Sequence, residues 1–259
     1  MALFTDASVV TLDDLQTFET SLTQVASSHG INVDTKINLS LSGIGDKLML
    51  WLLSVSGSDP QWLNRRLLGL STVVVTPTLR RWICFDSLSR FYAEAYNVQL
   101  NTRFQGKWTE YQNEAANAER MVFMCGLGVV FQALPKPAMP LISIEDGTAP
   151  AQSIFVQTAW IDALGNESAL SPVNGQILSG AAGVAVAMAE GAVNAPGSAA
   201  GWNVYASTAQ DNLTRQNSAA ISLGSTWQLP GSGLLAGPPP IDGQIPNVYV
   251  TLSHEIKRG

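Results

Sequence analysis

The sequence predicts a two-domain chain, α then β: an N-terminal bundle of four or five helices followed by an antiparallel β-sandwich. Three observations carry this. Apolar residues in the front half recur at spacings of three and four. A proline-rich run, Pro135–Pro140 (PKPAMP), follows them. Beyond it, short alternating stretches separated by glycine-rich turns continue nearly to the end of the chain. The expected division is 1–134 helical, 135–140 a stiff extended linker, 141–246 the sandwich, and 247–259 a C-terminal strand or arm.

Composition supports the division. The chain has 259 residues, 46% of them hydrophobic and 13% charged, enough apolar material for one large or two ordinary cores. Residues 1–140 hold 11 basic and 12 acidic side chains, a net of −1, whereas residues 141–259 hold 3 and 8, a net of −5. Neither part has the basic excess of a sequence-reading nucleic-acid domain.

The first helix is expected from Thr11, whose hydroxyl can cap it, with Asp13 and Asp14 at its positive end. Leu12, Leu15, Phe18, Leu22, Val25 and Ala26 form its stripe, and Gly30 stops it. A second helix from Asp34 carries Ile37, Leu41, Ile44, Leu48 and Leu52 on one face and ends at Ser56-Gly57. Asp59-Pro60 opens a short third helix with Trp62, Leu63, Leu67 and Leu68. Ser71–Val75 reads as an extended linker or short strand. Thr76-Pro77 starts a helix bearing Leu79, Trp82, Ile83, Phe85, Leu88, Phe91, Tyr92 and Ala95. The last helix carries Phe104, Trp108, Tyr111, Ala115, Ala118 and Val122, with Cys125 at its edge, and closes at Gly126 and Gly128.

Six strands are expected: Ser153–Asp162, Asn174–Leu178, Gly183–Ala189, Gly201–Ser207, Ala219–Leu223 and Thr226–Leu229. In Gly201–Ser207 (GWNVYAS), Trp202, Val204 and Ala206 alternate with Asn203, Tyr205 and Ser207, as on a strand with one core face. Asn247–Leu252 (NVYVTL) is a final strand or docking arm containing Tyr249.

Residues that could carry chemistry are few. His29 and His254 are the only histidines, with no Ser, Cys or carboxylate at triad or metal-ligand spacing, and no phosphate loop or nucleophile elbow is present. The expectation is therefore a protein that is not an enzyme and binds no cofactor or metal. Cys84 and Cys125 read as buried free thiols, with a disulfide between them left open. No segment has the make-up of a secretory leader or a membrane span, so Asn166-Glu-Ser168 and Asn212-Leu-Thr214 are chance glycosylation matches. Arg65-Arg66 and Arg80-Arg81 are either solvated helix faces or contacts to a neighbouring subunit or to phosphates. Arg103, Lys107, Trp108 and Tyr111 form an aromatic stripe with a charged shoulder, suited equally to a core or to packing between subunits. With Tyr249, these eight side chains are the candidate interface residues.

The helical segments DLQTFETSLTQVA, TPTLRRWICFDSLSRFYAEAYN, NTRFQGKWTEYQ and GLGVV resemble head-to-tail adaptor (connector) proteins of tailed bacteriophages. The later segments SIFVQTAWIDALGNESALSPV, GWNVYAS and ISLGSTWQLPGSGLLAG resemble the immunoglobulin-like or fibronectin-like modules appended to phage structural proteins. Together these resemblances span Thr11 to Pro246. They imply a structural virion protein, made in the bacterial cytoplasm and located in the neck. It would form a homo-oligomeric ring, dodecameric by the resemblance, that binds the portal protein and other neck or tail proteins. Double-stranded DNA would pass through its channel without sequence-specific contact, and the immunoglobulin-like β-sandwich would project as a decoration or bracing domain. A receptor-binding protein whose sandwich recognises a host glycan or protein is the competing expectation. It requires solvent-facing Trp160, Trp202 and Trp227, where alternation places at least Trp160 and Trp202 in the core.

Overall fold

The computed structural model describes residues 1–7, 9–55, 69–99 and 102–251. They show a helical region followed by antiparallel β-sheets, in two compact units. One comprises Met1–Asp6 and Gln132–Ile245, the other Ala7–Phe131 and Pro246–Gly259. The chain therefore passes between the units three times, and the division falls ahead of the proline-rich run rather than within it.

The helical unit contains α1 (Leu12–Gln16), α2 (Leu22–His29), α3 (Val33–Val55), α4 (Pro77–Gln99) and α5 (Thr102–Cys125). Thr11 caps α1 through a reciprocal box: the Asp14 N–H donates to the Thr11 hydroxyl and the Thr11 N–H to the Asp14 carboxylate at 2.8 Å. The expected single helix from Thr11 to Gly30 is interrupted at residues 17–21. There Glu19 turns inward and is buried, while Phe18, expected in the stripe, is 43% exposed with its ring edge-on to Phe85. Helices of five and eight residues are marginal alone, so α1 and α2 depend on this packing. Gly30 ends α2 at φ 65°, a left-handed position open to glycine.

In α3, Ile37, Ile44, Leu48 and Leu52 are buried, and the Ser40 hydroxyl donates to the Ile83 carbonyl of α4. The expected short helix after Asp59-Pro60 lies outside the described residues, as do Arg65, Arg66 and His254. A 3-10 turn at Leu70–Thr72 leads into fully buried Val73–Val75. Every expected stripe residue of α4 is buried. So is the stripe of α5 except Trp108, which is half-buried. The thiols are free; Cys84 is buried, whereas Cys125, expected to be buried too, is exposed at the last position of α5, where the helix ends. After α5, β1 (Leu127–Val129) pairs antiparallel with β9 (Val248–Val250), so the C-terminal strand closes on the helical unit.

The β unit holds β2 (Leu141–Ala149), β3 (Gln152–Ile161), β4 (Asn174–Leu178), β5 (Ala182–Ala187), β6 (Gly201–Ser207), β7 (Thr214–Arg215) and β8 (Trp227–Gln228). They form two sheets, ordered β2-β5-β8 and β4-β3-β6-β7. The β3–β4 ladder runs from Val156↔Asn174 to Gln152↔Leu178, and the β2–β5 ladder resumes from Ala149↔Ala182 to Leu141↔Ala187. This is one antiparallel ribbon bent between residues 149 and 152 and between 178 and 182, its halves lying in different sheets. The bend follows a bulge in which Asp146 and Ala149 both face Ala182. Gly147 makes it possible, since a Cβ there would stand 2.3 Å from the Gly183 nitrogen.

Ile154, Val156 and Trp160 of β3, Val184 and Val186 of β5, Trp202, Val204 and Ala206 of β6 and Trp227 of β8 share one core. The other face of β6 carries the alternating residues Asn203, Tyr205 and Ser207. It is buried as well, because the β3–β4 connection folds over Asn203 and Tyr205. Of the remaining expected strands, Ala219–Leu223 contributes only the bridge Trp202↔Ile221, while β2 and β7 arise where no strand was expected.

Two substitutions test this packing by thermal denaturation. Gly147→Val forces the bulge apart and is expected to lower stability by about 2 kcal/mol. The Thr158 hydroxyl is buried without a hydrogen-bond partner among the described residues, so Thr158→Val, of nearly the same shape, is expected to raise stability by about 1 kcal/mol.

Candidate interaction surface

Four of the candidate residues lie on α5, at Arg103, Lys107, Trp108 and Tyr111, one turn apart and therefore on neighbouring stripes. The carboxylate of Glu19, from the break between α1 and α2, gathers two of them. Tyr111 donates its hydroxyl to Glu19 Oε2 at 3.0 Å, the Lys107 ammonium stands 3.2 Å from the same oxygen, and the Ser21 hydroxyl donates to Oε1 at 2.7 Å. Tyr92 of α4 stacks on Tyr111 with ring centroids 5.6 Å apart.

Burial opposes the Glu19 charge, yet the donors Ser21, Lys107 and Tyr111 outweigh it and hold the carboxyl below its usual range. Lys107 responds in the opposite sense: desolvation works against its charge, but Glu19 and then Glu110 hold the ammonium protonated to higher pH. Burial, followed by the Glu19 charge, pushes the Tyr111 phenol well above its usual value, and burial raises that of Tyr92 to about 12. The cluster is a fixed ion pair in a tyrosine cage. It can hold α1, α4 and α5 in register; a neutral, proton-accepting base is not among its members.

The other candidates are distributed differently. Arg80 lies 3.5 Å from Asp14, and Arg81 lies 3.7 Å from Glu114 with its guanidinium over the Phe85 ring. Arg103 covers Phe104, and Trp108 stacks on Tyr96 at 5.8 Å. Tyr249, on β9, is 56% exposed, and of the described candidates it stands apart from the helical cluster. Sequence reasoning missed Glu19, although a carboxylate within an expected apolar stripe, flanked by Thr17, Thr20 and Ser21, was a visible signal.

In the β unit, Trp160, Trp202 and Trp227 are buried at 1%, 0% and 7% exposure. The cluster on the outer face of β6 is polar instead: buried Glu167 accepts hydrogen bonds from Asn203 and, at 2.6 Å, from the Tyr205 hydroxyl, with Arg215 at 4.0 Å. Burial and the adjacent Glu167 push the Tyr205 phenol far up. Ser168 and Ser171, beside it, accept from the backbone N–H groups of Trp160 and Thr158, so this segment is locked to β3. A hollow of about 440 Å³ includes Thr148, Gln152, Ser207, Thr214 and Ser232 in its wall and contains no carboxylate, imidazole or thiol. Among the described residues no group of His, Cys, Asp and Glu is placed to hold a metal, and no helix is long and apolar enough to cross a membrane. Burial raises the Cys84 thiol to about 12, which makes it a poor nucleophile.

No protein-family model, curated protein or solved structure matches the chain.

Because the folded-state pKa of Glu19 is lowered, its contribution to stability is present above the ordinary carboxylate range and is lost as pH falls through the folded value. Glu19→Gln is expected to cost about 2 kcal/mol at pH 7. The gap to the wild type should narrow as pH falls below the ordinary carboxylate range, followed by urea denaturation at stepped pH; a gap independent of pH would contradict the assignment.

Proposed function

We propose that the chain is a structural virion protein: a head-to-tail adaptor that assembles as a homo-oligomeric ring between portal and tail and leaves a channel for DNA. In this reading the helical unit makes the ring and the β unit is an appended immunoglobulin-like module for decoration or bracing. The observation that supports it best is how the helical unit distributes its side chains. Its charged and aromatic candidates are engaged with one another in fixing helix register, whereas large apolar side chains of α3 and α5 stand exposed, which suits contact between subunits better than turnover of a small molecule. Two sheets of three and four antiparallel strands around a tryptophan-rich core support the module assignment.

A channel for sliding DNA must not grip it. The near-balanced charge of residues 1–140 and the acidity of residues 141–259 both fit that requirement. Glycan recognition through tryptophans has less to draw on, since Trp160, Trp202 and Trp227 face inward.

The direct test is reconstitution with a tailed-phage portal protein, followed by mass measurement and electron microscopy. A closed ring of this chain bound coaxially to the portal is expected. A monomer or trimer that ignores the portal and binds cells would overturn the reading.

A further inference from the structure

α3 is apolar on two opposite sides. Its inner side buries Ile37, Ile44, Leu48 and Leu52, while Leu39, Met49, Leu50 and Leu53 are exposed, Leu50 at 68%. At 100° per residue, Leu39, Asp46, Leu50 and Leu53 fall within about one sixth of the helix circumference, and Met49 borders that sector. A helix apolar all round is ordinarily covered all round. Asp46, in the middle of the stripe, is exposed and makes no ion pair among the described residues.

Two α3 stripes packed antiparallel about a two-fold axis at their midpoint would bring the two Asp46 carboxylates together, at a like-charge cost. The outer face of α5 offers the complement. Met121 and Met124 are exposed there, Met124 at 69%, and beside them Arg120 is exposed and also makes no ion pair among the described residues. Asp46 precedes Leu50 by one turn, as Arg120 precedes Met124. A parallel pairing of the two helices therefore aligns the charge contact and the apolar contact together.

We infer that the outer face of α3 is a subunit interface that receives the outer face of α5 from a second copy of this chain, with Asp46 paired to Arg120. The two faces differ, so the contact is heterologous and repeats around a ring or along a filament. This deepens the adaptor reading by naming the surfaces that would build its ring.

The test is sedimentation velocity on the full chain and its variants, with circular dichroism and thermal melts to confirm folding. Asp46→Arg and Arg120→Asp should each weaken self-association at least about tenfold, and the double variant should restore it. Leu50→Glu and Met124→Glu should each yield monomers, because each destroys one of the two faces. Mixed, they should form a 1:1 dimer and nothing larger, since each retains the face that the other lacks; Leu50→Ser serves if the glutamate variant fails to fold. A monomeric wild type at all concentrations, assembly that survives Leu50→Glu, or a mixture that stays monomeric would overturn the interface. Assembly through these faces with no portal binding would leave the interface standing and overturn the adaptor reading. Portal-bound rings unaffected by all four substitutions would do the reverse.

Discussion

The helical unit is organised around a charge that it cannot leave unpaired. Glu19 sits at the break between α1 and α2, out of water, and a lone carboxylate there would cost several kcal/mol. Its partners come from α5 and from the turn that follows it, and Tyr111 reaches it only if α5 stands in one register against α4. Satisfying one carboxylate thus fixes three helices, and the aromatic rings around it supply the low dielectric that strengthens the pair. The short α1 and α2 flank this site, and Glu19 lies in the break between them.

The β unit meets its constraint through backbone geometry instead. A single ribbon supplies strands to both sheets, so the sheets cannot move apart without breaking the ladder at the bend. β6 then lies between two layers, the tryptophan core on one side and the Glu167–Tyr205 cluster on the other. A strand buried on both faces tolerates little register slip, because a shift of one residue would place Trp202 where Asn203 meets Glu167.

Local chemistry made much of this legible in the sequence. Thr11, Gly30, Thr76-Pro77 and Gly126 mark helix ends by capping and backbone preference, effects that act within a turn. The bounds of β4 and β6 follow from alternation and from flanking glycine and asparagine. The break at residues 17–21 was not legible, because Glu19 within it is held by a tyrosine 92 residues away. Nor was β2, whose alternation is interrupted by Glu145, Asp146 and Gly147 and whose strand character comes from its partner β5. The second buried face of β6 escaped for a similar reason. Asn203 and Tyr205 look like surface residues until a carboxylate from the β3–β4 connection covers them. Among the candidate site residues, Lys107 and Tyr111 were visible as a charged and aromatic shoulder, but their meaning depends on Glu19. Asp46 stands beside Lys47 in an otherwise apolar run, and nothing local distinguishes it from an ordinary solvated charge.

The three passages of the chain between the units have a consequence for biosynthesis. Met1–Asp6 is made before the helical unit yet belongs with strands made much later, and β9 is made after the β unit yet completes the helical one. At ordinary elongation rates β1 waits on the order of ten seconds for its partner strand. During that interval Val73–Val75 and β1 present an unfinished edge. The helical unit is not complete until the β unit has been synthesised, so β9 acts as a latch on a bundle made well before it.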